Sequence, residues 1–241
     1  MQEIRQCVGE VIGTFYLCFA GISAILCTQT MGGVDPAAGL VMVALAHGLA
    51  LSIAVCTFGG LSGAHFNPAV TCGMLATGRI KPPLAGKYIV AQLIGATVAA
   101  LACSTIFPAA AVDSAKLGIP LPPPPSAEWD IGTGTILLVE FICTFLLLTS
   151  IFGVAVDNER GQPVKIGGFA IGLTVTFDIL AAGPITGASM NPARSFGPAL
   201  IHGHWDHHVL YWIAPIAGGV CASLLYHHFL LKTDDAPAAE G

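Results

Sequence analysis

Charged residues are scarce in this chain. Asp, Glu, Lys and Arg make up 10% of its 241 residues, against 54% hydrophobic residues, and the mean hydropathy is +0.77. Soluble globular domains carry about 25% charged residues, so this composition excludes a soluble domain. We therefore predict that the chain lies in a lipid bilayer, and we expect no nucleic-acid partner.

Cysteine pairs at the spacing of metal or redox sites are also lacking. The eight cysteines form no C-x-x-C motif, and most fall inside apolar runs, where they serve as small packing residues. The sequence also lacks the nucleophile or carboxylate groupings that catalysis needs. It predicts no enzyme activity, no catalytic residue, no cofactor and no metal ligand.

Long apolar runs, in contrast, are abundant. Six segments are long enough to cross a hydrocarbon core of about 30 Å, which takes about 20 helical residues. They are residues 4–27, 37–58, 84–107, 133–156, 166–182 and 209–231. Glu10 interrupts the first run, which argues against a cleaved signal peptide. The sequence thus predicts an all-α membrane protein with six transmembrane helices.

One tripeptide is duplicated: it occurs at Asn67-Pro68-Ala69 and again at Asn191-Pro192-Ala193. The same shift aligns residues 62–64 with residues 186–188, and a slightly larger one aligns Glu10 with Glu140. The chain therefore reads as two related halves, residues 1–120 and 121–241, joined near the proline run 122–125. With three spans each, the halves enter the membrane from opposite sides, as an inverted 3+3 repeat.

Basic residues are distributed unevenly along the chain. Those in the terminal segments and in the loops after the second and fourth spans are Arg5, Arg79, Lys81, Lys87, Arg160, Lys165 and Lys232. The loop after the third span has one base, Lys116, against Asp113, Glu128 and Asp130. Since Lys and Arg favour the cytoplasmic side, we predict that both termini are cytoplasmic, and we place the protein in the plasma membrane.

Each copy of the tripeptide opens a short apolar stretch, residues 68–75 and 192–201. At 1.5 Å per residue these stretches cross only about half a bilayer, so they predict two half-helices. Asparagine is a favoured N-cap and proline a favoured first helical residue. Inverted symmetry would bring both N-termini to the midplane, where each carries about half a positive charge. Asn67 and Asn191 could then donate hydrogen bonds to a passing neutral solute while cations and protons are excluded.

These residues resemble the major intrinsic protein family, the aquaporins and glycerol facilitators. Residues 62–66 (Ser-Gly-Ala-His-Phe) and 194–198 (Arg-Ser-Phe-Gly-Pro) carry the resemblance most specifically. It extends over nearly the whole chain. It implies the aquaporin fold, a homotetramer with one pore per subunit, and passive conduction of water and small neutral solutes without ions or protons.

Arg194 is the only base in its apolar segment, so it is expected to face water or a partner. By resemblance it belongs to a narrow filter near the outer mouth, whose other members are His47, Ile179 and Ala188. This set is similar to that of plant vacuolar-type aquaporins and their ammonia-permeable relatives. It implies conduction of water and ammonia, with hydrogen peroxide or urea as further candidates. Glycerol should pass poorly, because the paired aromatic residues of glycerol facilitators are absent.

Four further residues and one histidine-rich segment stand out. The resemblance suggests that Glu10 and Glu140 brace the loops before the half-helices, with a proton relay as the alternative. His65 would line or gate the inner part of the pore. We expect Asp178 to face a subunit contact or the outer vestibule. The histidines of segment 202–208 could bind zinc or copper, but we favour an exposed, hydrated outer loop as the explanation for them.

Two other functions are compatible with parts of the sequence. Secondary transporters also use inverted repeats and broken helices, but they need titratable or ion-coordinating groups at the midplane, where this chain has Asn67 and Asn191. A membrane metalloenzyme would use the outer histidines. The passive channel accounts for more of the sequence than either.

Overall fold

The structure is a computed structural model that describes residues 1–32, 34–124, 130–157 and 166–231. Some residues on which parts of the predicted topology depend lie outside these ranges. They are Pro125, Glu128, Arg160, Lys165 and Lys232. The helices in chain order are α1 (Gln2–Thr30), α2 (Pro36–Ser62), α3 (Pro68–Ala76), α4 (Pro82–Ile106), α5 (Ala109–Ser114), α6 (Thr133–Ile151), α7 (Gly167–Thr186), α8 (Pro192–His202) and α9 (Leu210–Leu225). A π-helical turn extends α6 to Val156, another extends α9 to Leu230, and a 3-10 turn covers Lys116–Gly118.

Within the described part of the chain, six helices are long and apolar enough to cross a membrane: Gln2–Thr30, Pro36–Ser62, Pro82–Ile106, Thr133–Val156, Gly167–Thr186 and Leu210–Leu230. The six predicted spans are therefore confirmed. The predicted end of the fifth span at residue 182 is too early, because α7 continues through Pro184 to Thr186. We call the face at which α1 begins the inner face and the face at which it ends the outer face.

The two half-helices start inside the bundle. Asn67 caps α3 and Asn191 caps α8, and a proline occupies the first helical position of each. α3 packs on α9 and α4, whereas α8 packs mainly on α4. The all-helical class with six spans, two half-helices and an inverted repeat is confirmed.

Helix pairs related by the repeat approach closely at glycines. A Cβ added at Gly95 of α4 would lie 2.3 Å from the carbonyl oxygen of Val11 in α1, and one at Gly218 of α9 would lie 2.2 Å from that of Phe141 in α6. Small residues are the usual means by which helices approach each other in membranes, where the hydrophobic effect gives little help. These contacts set how closely α4 packs on α1, which carries Glu10, and how closely α9 packs on α6, which carries Glu140.

We expect Gly218→Ala to lower the free energy of unfolding by about 1–3 kcal/mol, because the added methyl group would push two helix backbones apart. Gly86→Ala is the matched control, since no atom lies within 4 Å of a Cβ there. Thermal unfolding of the purified protein in detergent would compare them. Equal melting temperatures for the two variants would contradict the close contact.

Candidate functional site

The carboxylate of Glu10 holds the loop that leads into α3. Its Oε1 accepts hydrogen bonds from the Ser62 hydroxyl (2.7 Å) and the backbone N–H of His65 (3.0 Å). Its Oε2 accepts from the N–H of Phe66 (2.7 Å) and from the Gln92 amide (2.8 Å). Irregular backbone deep in a membrane protein needs such internal partners, since lipid offers none.

Glu140 holds the loop into α8 in the same way. Its Oε1 accepts from the Thr186 hydroxyl (2.7 Å) and from the N–H of Ser189 (2.9 Å), and its Oε2 accepts from the N–H of Met190 (2.8 Å). Because these partners all donate, the arrangement suits an acceptor-only carboxylate.

Both loops contain non-glycine residues in the left-handed region. The values of φ are 52° at Ala64 and 50° at Phe66 in the first loop, and 42° at Ala188 and 53° at Met190 in the second. Such residues persist only where their surroundings hold them. The left-handed turns leave the carbonyl groups of Phe66 and Met190 pointing at the opposite half-helix.

Those carbonyls join the two half-helices. The Asn67 amide donates to the Met190 oxygen (2.8 Å), and the Asn191 amide donates to the Phe66 oxygen (2.9 Å). Each asparagine Oδ1 accepts from its own helix, at the N–H of Ala69 or Ala193. An amide nitrogen carries two protons, and the second proton of each has no acceptor among the described residues. The two helix N-termini therefore meet with one free donor on each side.

Two cavities extend inward from opposite faces, and the asparagine pair lines the inner one. The inner cavity, of about 390 Å³, runs from Gly59 past Asn67 and Asn191. The outer cavity, of about 500 Å³, begins among the residues that end α1 and start α2. His47, Ile179 and Arg194 line both cavities, whereas Ala188 lines only the inner one. Three of the four predicted filter residues thus lie where the cavities meet, and Ala188 lines the inner cavity beside them.

Arg194 has a neutral partner. Its Nη1 donates to the backbone carbonyl of Gly118 (2.6 Å), and the residue is 4% exposed. Among the described residues no carboxylate lies within ion-pair distance of it, so its other N–H groups remain available along the cavity. Sequence reasoning missed Gly118, because a backbone acceptor in a loop has no sequence signature.

The ring of His47 has its proton on Nδ1. Its Nδ1 lies 2.8 Å from the carbonyl oxygen of Val43, and a carbonyl only accepts, so Nδ1 carries the proton of the neutral ring. Nε2 is then an acceptor rather than a donor, and it has no partner among the described residues. The ring edge rests against Gly21 of α1, where a Cβ would lie 2.0 Å from Nε2.

His65 lines the inner cavity, and its Nδ1 lies 3.1 Å from the Thr71 hydroxyl. Its ring packs edge-on against Tyr88, whose hydroxyl donates to the Ser62 carbonyl. Tyr211 makes the matching bond to the Thr186 carbonyl (2.6 Å). Gln92, Tyr88 and Tyr211 were all missed in the sequence, although the two tyrosines occupy equivalent places in the repeats.

Asp178 is 1% exposed and lies beside Cys143 of α6 rather than at the protein surface or in either cavity. The expectation that it faces a subunit contact or the outer vestibule is wrong, because its side chain points between α7 and α6.

All eight cysteines are free thiols. No group of three or more potential metal ligands occurs among the described residues, so the outer histidines do not converge on one point.

The profile of the major intrinsic protein family matches residues 1–226. The chain is 41% identical to "Aquaporin TIP4-4" of Zea mays over 92% of its length and 85% of that protein. It is 40% identical to "Probable aquaporin TIP3-2" of Arabidopsis thaliana over 98% of its length and 87% of that protein. The aquaglyceroporin from Plasmodium falciparum superposes with a TM-score of 0.78 at 25% identity, covering 95% of this chain and 97% of that one. With its paired half-helices and two cavities that share lining residues, the chain belongs to the major intrinsic protein family and is a membrane channel for water and small neutral solutes.

Proposed function

We propose that the junction of the two cavities is the selectivity filter of this channel and that it passes water and ammonia, with hydrogen peroxide and urea as further permeants. The observation that carries this proposal is that His47, Ile179 and Arg194 border both cavities. A solute that travels from one face to the other must pass these three side chains.

The filter has a polar wall and an apolar wall. Arg194 offers guanidinium donors beside the imidazole ring of His47, while Ile179 and Ala188 offer only hydrocarbon. Water and ammonia both donate and accept hydrogen bonds, so either can use the polar wall. Ile179 and Ala188 leave room beside it without adding a polar partner that a strictly water-selective filter would require.

Charge is excluded at the asparagine pair and at Arg194. The N-termini of α3 and α8 each contribute about half a positive charge at the point where Asn67 and Asn191 meet. The free amide protons of Asn67 and Asn191 orient a permeating oxygen as an acceptor, which interrupts a chain of waters that could otherwise relay protons. Pro68, Ala69, Pro192 and Ala193 support this role by starting each half-helix at a fixed depth.

Glu10 and Glu140 act as braces rather than as a proton relay, because their oxygens are occupied by donors from the two loops. His65 lines the inner cavity.

We further propose that the boundary between the two repeats lies between residues 120 and 121. Four copies assemble with one pore each, as the family resemblance implies. The chain has no enzyme activity and no cofactor.

The basic residues near the inner face support cytoplasmic termini. Location in the plasma membrane remains a prediction, and the similarity to plant vacuolar-type relatives weighs against it.

The solute range is tested by stopped-flow swelling of proteoliposomes with water, ammonia, urea and glycerol. We expect water and ammonia to pass readily and glycerol to pass more slowly than water. Glycerol permeation faster than water would show that the filter is assigned to the wrong residues.

Replacing His47 by Phe should reduce ammonia permeation about fivefold, a change of about 1 kcal/mol in the barrier, because a larger apolar ring replaces the imidazole beside Arg194. Water permeation should be largely kept, because Arg194 still binds it. Stopped-flow rates for both solutes measure the effect, and His228→Phe, at an exposed position of the same residue type, is the control. Equal losses for water and ammonia would contradict the proposal that His47 distinguishes ammonia from water.

Replacing Glu140 by Gln should lower the free energy of unfolding by about 1–3 kcal/mol, since the new amide N–H₂ faces backbone N–H groups that need an acceptor. The loop before α8 should shift, and water permeation should fall with it. Glu10→Gln should behave alike, while Glu3→Gln, at an exposed position, should not. Thermal melting together with water permeation would check this, and a wild-type melting temperature for Glu140→Gln would rule out the brace.

A further inference from the structure

The Gly118 carbonyl that holds Arg194 belongs to a short outer segment, residues 116–118, which we call the strap. Its three residues are all left-handed, with φ of 45° at Lys116, 52° at Leu117 and 71° at Gly118. Two of them are not glycine, so this backbone is unfavourable by itself and requires outside contacts to keep it.

Three contacts hold the strap. The Leu117 side chain is fully buried against the outer part of α1. Gly118 accepts the hydrogen bond from Arg194. At the other end, Nζ of Lys116 lies 3.2 Å from Nε2 of His204, in the loop after α8. The first two contacts are insensitive to pH in the ordinary range, whereas the third includes a histidine.

The Lys116 contact requires a neutral His204. An ammonium group only donates, so Nε2 must accept and cannot carry a proton. The same Nε2 lies 3.3 Å from Oδ2 of Asp206. A protonated ring would be repelled by Lys116 and attracted by Asp206, so it would exchange one partner for the other.

Few other charged groups surround this point. Nε2 of His202 lies 3.9 Å from Oδ1 of Asp113, and the His202 and His204 rings are neighbours. Burial lowers the pKa of His208, and its Nε2 accepts a hydrogen bond from Trp212, so this histidine favours the neutral form. Among the described residues, Lys116, Asp206, His202 and Asp113 are the titratable groups that face His204.

We propose that His204 is a positioning residue for Arg194, acting through Lys116 and Gly118, and that its protonation from the outer face closes the channel in part. Neutral His204 keeps the strap in its left-handed form. When the ring takes up a proton, Lys116 is released, the strap relaxes, and Gly118 moves away from Arg194. The guanidinium then loses its fixed acceptor and swings into the filter. This inference rests on the proposed role of Arg194.

The test compares water permeation of proteoliposomes at about pH 7.5 and about pH 5.5, a range in which histidine ordinarily changes its charge. Both faces are held at the same pH. The wild-type rate should fall about fivefold at the lower pH, the change in population that loss of one ordinary hydrogen bond of about 1 kcal/mol produces. His204→Gln should keep the high rate at both values, because a glutamine oxygen accepts from Lys116 at any pH.

Two further variants separate this mechanism from a general loss of structure. Lys116→Gln removes the cation that repels the protonated ring, and its pH profile should also be flat. His207→Asn, in the same loop at a left-handed position that suits asparagine, should keep the wild-type pH dependence. A wild-type rate that does not change with pH, or an equal fall in wild type and His204→Gln, would overturn the proposal. A channel that conducts no water at neutral pH would instead contradict the proposed function.

Discussion

Two buried carboxylates allow this protein to keep irregular backbone in the middle of a membrane bundle. Lipid cannot satisfy the N–H groups of the loops before α3 and α8, so Glu10 and Glu140 do it from α1 and α6. With the loops held, Phe66 and Met190 adopt left-handed conformations and turn their carbonyls toward the opposite half-helix. The asparagine pair, and with it the central part of the cavity, depends on those two acceptors.

The same construction explains why a polar path can exist in so apolar a chain. Most polar groups around the path have a hydrogen-bond partner within the protein. Each asparagine donates to the other repeat, Tyr88 and Tyr211 donate to the last carbonyl of α2 or α7, and Arg194 donates to Gly118. What is left over along the path is a small set of unpaired donors on the two asparagines and on Arg194. A permeating molecule meets these few groups and otherwise hydrocarbon.

Much of this organisation could be predicted from local pattern. Span length, the Asn-Pro caps and the duplicated glutamates are encoded in short stretches, and the family resemblance, placed on the two Asn-Pro-Ala copies, implied His47, Ile179, Ala188 and Arg194 as the filter. The remainder depends on tertiary contacts. The partner of Arg194 is a backbone carbonyl from a loop far away in the chain, and the donor or acceptor character of His47 depends on Val43 in its own helix. The burial of Asp178 follows from how α7 rotates against α6, which composition does not determine.

The contact between His47 and Gly21 has an implication for how such channels diversify. The imidazole occupies the volume that a side chain on α1 would otherwise take. The aperture is therefore shaped by the lack of a side chain at Gly21, on a helix that contributes none of the four proposed filter residues. Natural variation or engineering at position 21 would retune the opening while those four residues stayed the same, so channels with identical filters need not share a permeability profile.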